Sequence, residues 1–163
     1  ALMPSLSLWR LLWPLRARLS RGLAVGSTFP DFSLADTAGR THRLSQGDGG
    51  PTALWFTNFC EDCRSRVPLL REAAGRGRVL AVSILPVDDP LPLESAPSCG
   101  FPVLLDPEDL VGLRLGLAHP PGACPLHNFF VVDASGRILL KHHLSAFSPE
   151  KFRAVWRDMS ERR

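Results

Sequence analysis

Apolar and polar positions alternate along Gly26-Ser-Thr-Phe-Pro-Asp-Phe-Ser-Leu34, the chain turns at Asp36-Thr-Ala-Gly39, and a short extended stretch follows over 40–44. That pattern predicts a β-hairpin. Thr52-Ala-Leu-Trp-Phe-Thr-Asn58 and Arg78-Val-Leu-Ala-Val-Ser-Ile84 are nearly unbroken apolar runs of strand length, which predicts two strands covered on both faces. Between them, Val67, Leu70 and Ala74 recur at helical spacing with Arg64, Arg71 and Glu72 outside, predicting one helix over 60–74. Residues 85–100 contain four prolines and two aspartates and are expected to form an irregular crossover. A short strand over 101–105 is followed by a helix opening at Asp106-Pro107, running through Leu115 and stopping at Gly116. Phe129-Phe-Val-Val-Asp133, a turn at Ala134-Ser-Gly136 and residues 137–142 predict a second hairpin. Ser148-Pro-Glu150 caps a final helix that turns Phe152, Val155, Trp156 and Met159 inward.

Strand, helix, strand, then hairpin and closing helix imply an α/β domain built on a central mixed β-sheet flanked by helices, with an N-terminal hairpin extension. The 163 residues suit one such domain over 24–163, preceded by a tail over 1–23. The composition, 45% hydrophobic and 21% charged, excludes a disordered chain. The tail carries Arg10, Arg16, Arg18 and Arg21 and no acid, so the formal charge of +3 belongs to it and the domain is near neutral. No nucleic-acid partner is expected from so mild a balance. Leu8, Leu11, Leu12, Leu15 and Leu19 form an amphipathic stripe beside Trp9 and Trp13. Residues 6–21 are therefore read as contacting protein, either the domain or a partner subunit, with a membrane surface as the alternative. The arginines on the domain side favour a cytoplasmic location, against membrane-associated or extracytoplasmic ones.

The chemistry is concentrated at Cys60-Glu-Asp-Cys63, where a buried strand passes into a helix. Two intervening residues bring both sulfurs to the first helical turn, so a disulfide can open and close without rebuilding the backbone. The helix N-terminus favours a thiolate on Cys60, which makes Cys60 the attacking group and Cys63 the resolving one. Glu61 and Asp62 oppose that thiolate, which favours an ordinary or reducing couple over a strong oxidant.

Trp55-Phe-Thr-Asn-Phe-Cys-Glu-Asp-Cys-Arg-Ser-Arg-Val-Pro68 resembles the active-site strand and helix of thioredoxin-like proteins. The opening at Gly26, Phe101-Pro-Val-Leu-Leu-Asp-Pro107 and Phe129-Phe-Val-Val-Asp-Ala-Ser-Gly-Arg-Ile138 are similar to segments of the TlpA/ResA-type thiol–disulfide oxidoreductases and of their relatives the AhpC/TSA peroxiredoxins. The resemblance implies a thioredoxin-like fold and a thiol–disulfide oxidoreductase that exchanges electrons with protein or small-molecule thiols and disulfides, without a cofactor. It implies Cys60 and Cys63 as catalytic, with Thr57, Phe59, Pro125 and His127 on the substrate side. The superfamily's cis-proline position falls on His127, with Pro125 two residues earlier, so either residue stands in for it.

Three rivals share this site. A peroxidase reading makes Cys60 peroxidatic with Thr57 three residues before it, but Ala53 and His127 occupy the places of the expected proline and arginine. A zinc or copper(I) site would use Cys60, Cys63, Cys124 and His127; the favoured reading assigns no metal and makes Cys124 a small buried residue. A non-catalytic binding module with a structural disulfide is the third. Cys99 and Cys124 are read as free thiols, as a disulfide with each other, or either one as a resolving partner of Cys60.

Overall fold

The computed structural model describes residues 23–117, 119 and 123–162, so the amphipathic reading of 6–21 lies outside the described residues. Ser33–Ala35 (β1) and Thr41–Arg43 (β2) form the antiparallel hairpin. Thr52–Thr57 (β3) is buried at every position, as its lack of charge requires. Glu61–Arg64 (α1), Val67–Ala74 (α2), Arg78–Ser83 (β4), Leu91–Cys99 (α3), Val103–Leu105 (β5) and Leu110–Arg114 (α4) follow. Phe129–Val132 (β6), Ile138–His142 (β7), a 3-10 turn at Leu144–Ala146 and Pro149–Glu161 (α5) complete the chain.

The main sheet has the order β5-β4-β3-β6-β7. β3 is parallel to β4 and antiparallel to β6, which makes the sheet mixed and puts β3 at its centre. Side chains alternate across the sheet with period two. Ala53, Trp55, Val79, Ala81, Phe129 and Val131 pack on one face under α2 and α5, against Leu70, Ala73, Phe152 and Trp156. Leu54, Phe56, Leu80, Val82, Phe130 and Val132 pack on the other against Phe29, Phe32, Val111 and Leu115. No helix among the described residues is long and apolar enough to cross a membrane.

Three elements differ from the sequence expectation. The helix over 60–74 is two helices, interrupted at Ser65 and Arg66. Pro68 has no N–H and its ring excludes the carbonyl four residues back, so the first turn stops at Arg64 and a second helix begins with Pro68 in its first turn. The crossover over 85–100 contains α3 despite Pro92 and Pro97. Pro92 sits in the first turn, where no intrahelical donor is needed, and Asp89 Oδ1 accepts from Leu91 N at 2.9 Å. Asp106, expected as N-cap with Pro107 in the first turn, lies outside α4, whose N-cap is Asp109; its carboxylate still accepts from Leu110 N at 3.1 Å and Val111 N at 2.9 Å. Asp109, in the left-handed region at φ 52°, delays the start of that helix to Leu110. Ser148 Oγ accepts from Lys151 N at 3.2 Å and caps α5 as read from the sequence.

Candidate thiol site

The passage from β3 to α1 is made by three residues with separate tasks. Thr57 Oγ1 accepts from Phe59 N at 2.7 Å, and Asn58 Oδ1 accepts from Cys60 N at 3.0 Å. These two local side-chain turns hold Phe59 at φ 58°, a left-handed conformation that is costly for a bulky residue. The Phe59 ring is kept in place by the core, edge-on to Trp55 at 5.6 Å between centroids. Thr57 and Phe59, expected on the substrate side, are thus buried beneath the turn and shape it. Trp55 is core, as expected.

Cys60 occupies the N-cap position of α1 and is half-buried, whereas Cys63 is fully buried one turn on. Glu61 and Asp62 between them are exposed. All four cysteines are free thiols. Cys99 is buried at the end of α3, where its thiol donates to Ser95 O at 3.3 Å, so the pairing of Cys99 with Cys124 is replaced by a local hydrogen bond. Burial pushes the Cys99 thiol pKa up, which keeps it protonated and unreactive.

Cys124 comes from the loop before β6 and completes a triangle. Its Sγ lies 3.8 Å from Cys60 Sγ, and the sulfurs of Cys60, Cys63 and Cys124 are all within 4.8 Å of one another. The Cys124 thiol donates to Asn58 Oδ1 at 2.8 Å, so one amide oxygen serves both Cys60 N and Cys124. Asn128, fully buried at the start of β6, donates from Nδ2 to Cys63 Sγ at 3.4 Å and accepts from Leu144 N at 2.9 Å.

The electrostatics single out Cys63. The neighbouring Cys124 thiol lowers the Cys63 pKa to about 6, burial opposes this, and the Asn128 amide, the charge of His143 and the Cys60 thiol add to it. Cys124 is pushed the other way, by the neighbouring Cys63 and by burial. One turn of α1 is too short for a strong macrodipole, so the stabilised thiolate is produced by neighbouring donors and not by the helix end.

Pro125 is buried and its peptide bond is trans, no bond among the described residues being cis. His127 is half-buried outside the sulfur triangle, and burial together with Lys141, His142 and His143 lowers its pKa. His142 and His143, adjacent at the end of β7, are both engaged. The His142 ring lies 4.1 Å from that of Phe147 and its Nδ1 donates to His143 O at 2.9 Å, while His143 Nδ1 pairs with Ser145 Oγ at 2.8 Å. Asn58, Asn128 and His143 escaped sequence reasoning. The available signal was an amide at the edge of each apolar strand, Asn58 after β3 and Asn128 before β6.

The fold agrees with known proteins. The sequence model of the AhpC/TSA family matches residues 25–141. The chain is 30% identical over 146 residues to the thiol-disulfide oxidoreductase ResA of Geobacillus thermodenitrificans, covering 78% of this chain and 80% of the relative. Among solved structures it is similar to the peroxidoxin BcpB of Mycobacterium tuberculosis, with a TM-score of 0.67 at 23% identity over 85% of this chain and 97% of the other. It is also similar to the thioredoxin domain of a thiol-disulfide oxidoreductase from Bacteroides vulgatus, with a TM-score of 0.66 at 20% identity over 84% and 99% of the two chains. With its Cys-x-x-Cys at the end of the central strand of a thioredoxin-like sheet, the chain belongs to the AhpC/TSA family of oxidoreductases.

Proposed function

We propose that the protein exchanges disulfides with thiol-bearing proteins or small thiols through Cys60 and Cys63. The observation that carries this reading is the contrast between a half-exposed Cys60 and a buried Cys63 whose thiolate is stabilised near neutral pH. Cys60 is the sulfur a visiting disulfide can reach. Its thiolate attacks one sulfur of the substrate, a mixed disulfide forms, and the other substrate sulfur leaves as a thiolate. The Cys63 thiolate then attacks Cys60 Sγ, closing the Cys60–Cys63 disulfide and releasing the second substrate thiolate. Two electrons pass from the protein to the substrate, and the reverse sequence oxidises a dithiol. The lowered Cys63 pKa favours the thiolate that resolution requires.

Exchange is favoured over peroxide reduction because Ala53 and His127 stand where a peroxidase's proline and arginine are expected, and a second cysteine lies within one turn of Cys60. His127, partly exposed in the same loop as Cys124, remains proposed to meet the substrate, whereas Pro125 is buried.

Intact-mass analysis across a glutathione redox titration tests the reading. The Cys60–Cys63 pair should equilibrate reversibly, Cys60→Ser should abolish turnover, and Cys63→Ser should accumulate a mixed disulfide on Cys60. A bridge that resists reduction by dithiothreitol, or turnover surviving in Cys60→Ser, refutes it. Consumption of hydrogen peroxide at the expense of a dithiol would favour the peroxidase reading.

A further inference from the structure

Disulfide exchange employs two of the three clustered sulfurs, and Cys124 closes the triangle without being required by that chemistry. We propose that in the reduced protein Cys60, Cys63 and Cys124 together form a three-thiolate site for copper(I).

The spacing fits a metal centre. Three sulfurs around an ion at metal–sulfur distances of about 2.3 Å lie about 4 Å apart when the ion is in their plane. The Cys60–Cys124 separation is 3.8 Å and none of the three exceeds 4.8 Å, so side-chain rotation suffices to close the site. The ligands come from two segments distant in sequence, the β3–α1 turn and the loop before β6, and Asn58 and Asn128 hold them in register. Asn58 Oδ1 accepts from Cys60 N and Asn128 Nδ2 donates to Cys63 Sγ, contacts that persist when the thiols are deprotonated, whereas the Cys124 thiol's bond to Asn58 Oδ1 belongs to the metal-free protein and is given up on binding. Such outer contacts orient ligands at metal sites. Cys63 is buried, and Cys60 and Cys124 are partly exposed, so solvent meets the cluster on the Cys60 and Cys124 side.

The donor set selects the ion. It is all sulfur, which disfavours magnesium and calcium. Among the described residues no imidazole or carboxylate joins the cluster, and His127 is outside it, so the fourth protein ligand of a structural zinc site is missing. Three soft thiolates without a fourth donor suit copper(I). Binding exchanges the thiol protons for the ion and involves no electron transfer. Oxidation of Cys60 and Cys63 by oxidised glutathione, which becomes two reduced glutathiones, consumes two ligands and removes the site.

The test uses reduced full-length protein without oxygen, titrated with copper(I) against the chelator bicinchoninate, with zinc(II) as a second arm. One copper(I) per chain should be withheld from the chelator, and X-ray absorption should count three sulfur neighbours. Cys124→Ser should weaken copper(I) binding by at least about tenfold, since even lost outer contacts cost that much. Cys99→Ala, outside the cluster, should bind like the parent, and glutathione-oxidised protein should bind none. Parent affinity in Cys124→Ser, two sulfur neighbours, or retention of zinc(II) but not copper(I) overturns the proposal. Should Cys124→Ser fail to fold, alkylation mapping of the parent decides: copper(I) must shield Cys124 together with Cys60, and an unshielded Cys124 refutes the site. Exchange activity, assayed on metal-free protein, stands or falls separately.

Discussion

Asn128 Nδ2 lies 3.4 Å from Cys63 Sγ, a contact between residues 65 apart in the chain that joins the antiparallel half of the sheet to the thiol turn. The same amide accepts from Leu144 N at 2.9 Å, so it satisfies one buried donor while stabilising a buried thiolate. Asn128→Leu should raise the Cys63 pKa and leave Leu144 N–H unpaired, at a cost of about 1–3 kcal/mol. Thiolate absorbance against pH, with a denaturation curve on the same variant, checks both effects. An unchanged titration would remove Asn128 from the account of Cys63.

The Cys63 shift makes stability depend on pH in the reduced protein. The folded thiol titrates near 6 and an ordinary one near 9.0, so between these values the folded state binds fewer protons. Stability should rise with pH across that window, be fully expressed above it, and be lost as pH falls through about 6. The slope should approach ~1.4 kcal/mol per pH unit. Urea unfolding under reductant measures it, and Cys63→Ala should flatten it. A parent curve with no more slope than Cys63→Ala contradicts the assignment.

At Phe59 two effects compete. Glycine there relieves a left-handed φ of 58°, a gain of about 1–2 kcal/mol, but removes a buried ring worth about 3–5 kcal/mol. Packing wins, so Phe59→Gly should destabilise by about 2 kcal/mol. A variant as stable as the parent would mean that the ring contributes little beneath the turn.

Glu61 and Asp62 are exposed beside the redox pair. Carboxylates there disfavour the thiolate form, so Glu61→Gln with Asp62→Asn should stabilise the reduced state and raise the reduction potential. The shift should be on the order of 20 mV and shrink with salt. Glutathione equilibration resolves a change of that size, and a lower potential would reverse the sign argued here.

The sequence by itself determined the layers and the redox pair. Period-two alternation and uncharged runs such as Thr52–Thr57 report burial directly, because each strand residue faces one side of the sheet. Cys60 and Cys63 were legible because three positions of local spacing place them in one turn. Local proline chemistry was legible only in part. Pro68 divides a helix that apolar periodicity reads as continuous, and Pro92 begins one that proline content reads as absent.

Only the tertiary structure decided which thiol is ionised and how many sulfurs meet. Cys124 reaches Cys60 across 64 residues, and Asn128 reaches Cys63 across 65. Those contacts arise from the antiparallel pairing of β6 against β3, which carries the preceding loop to the thiol turn. Pattern along a chain encodes which face a residue takes. The partner it finds there depends on strand order, and strand order is settled by how the whole core closes.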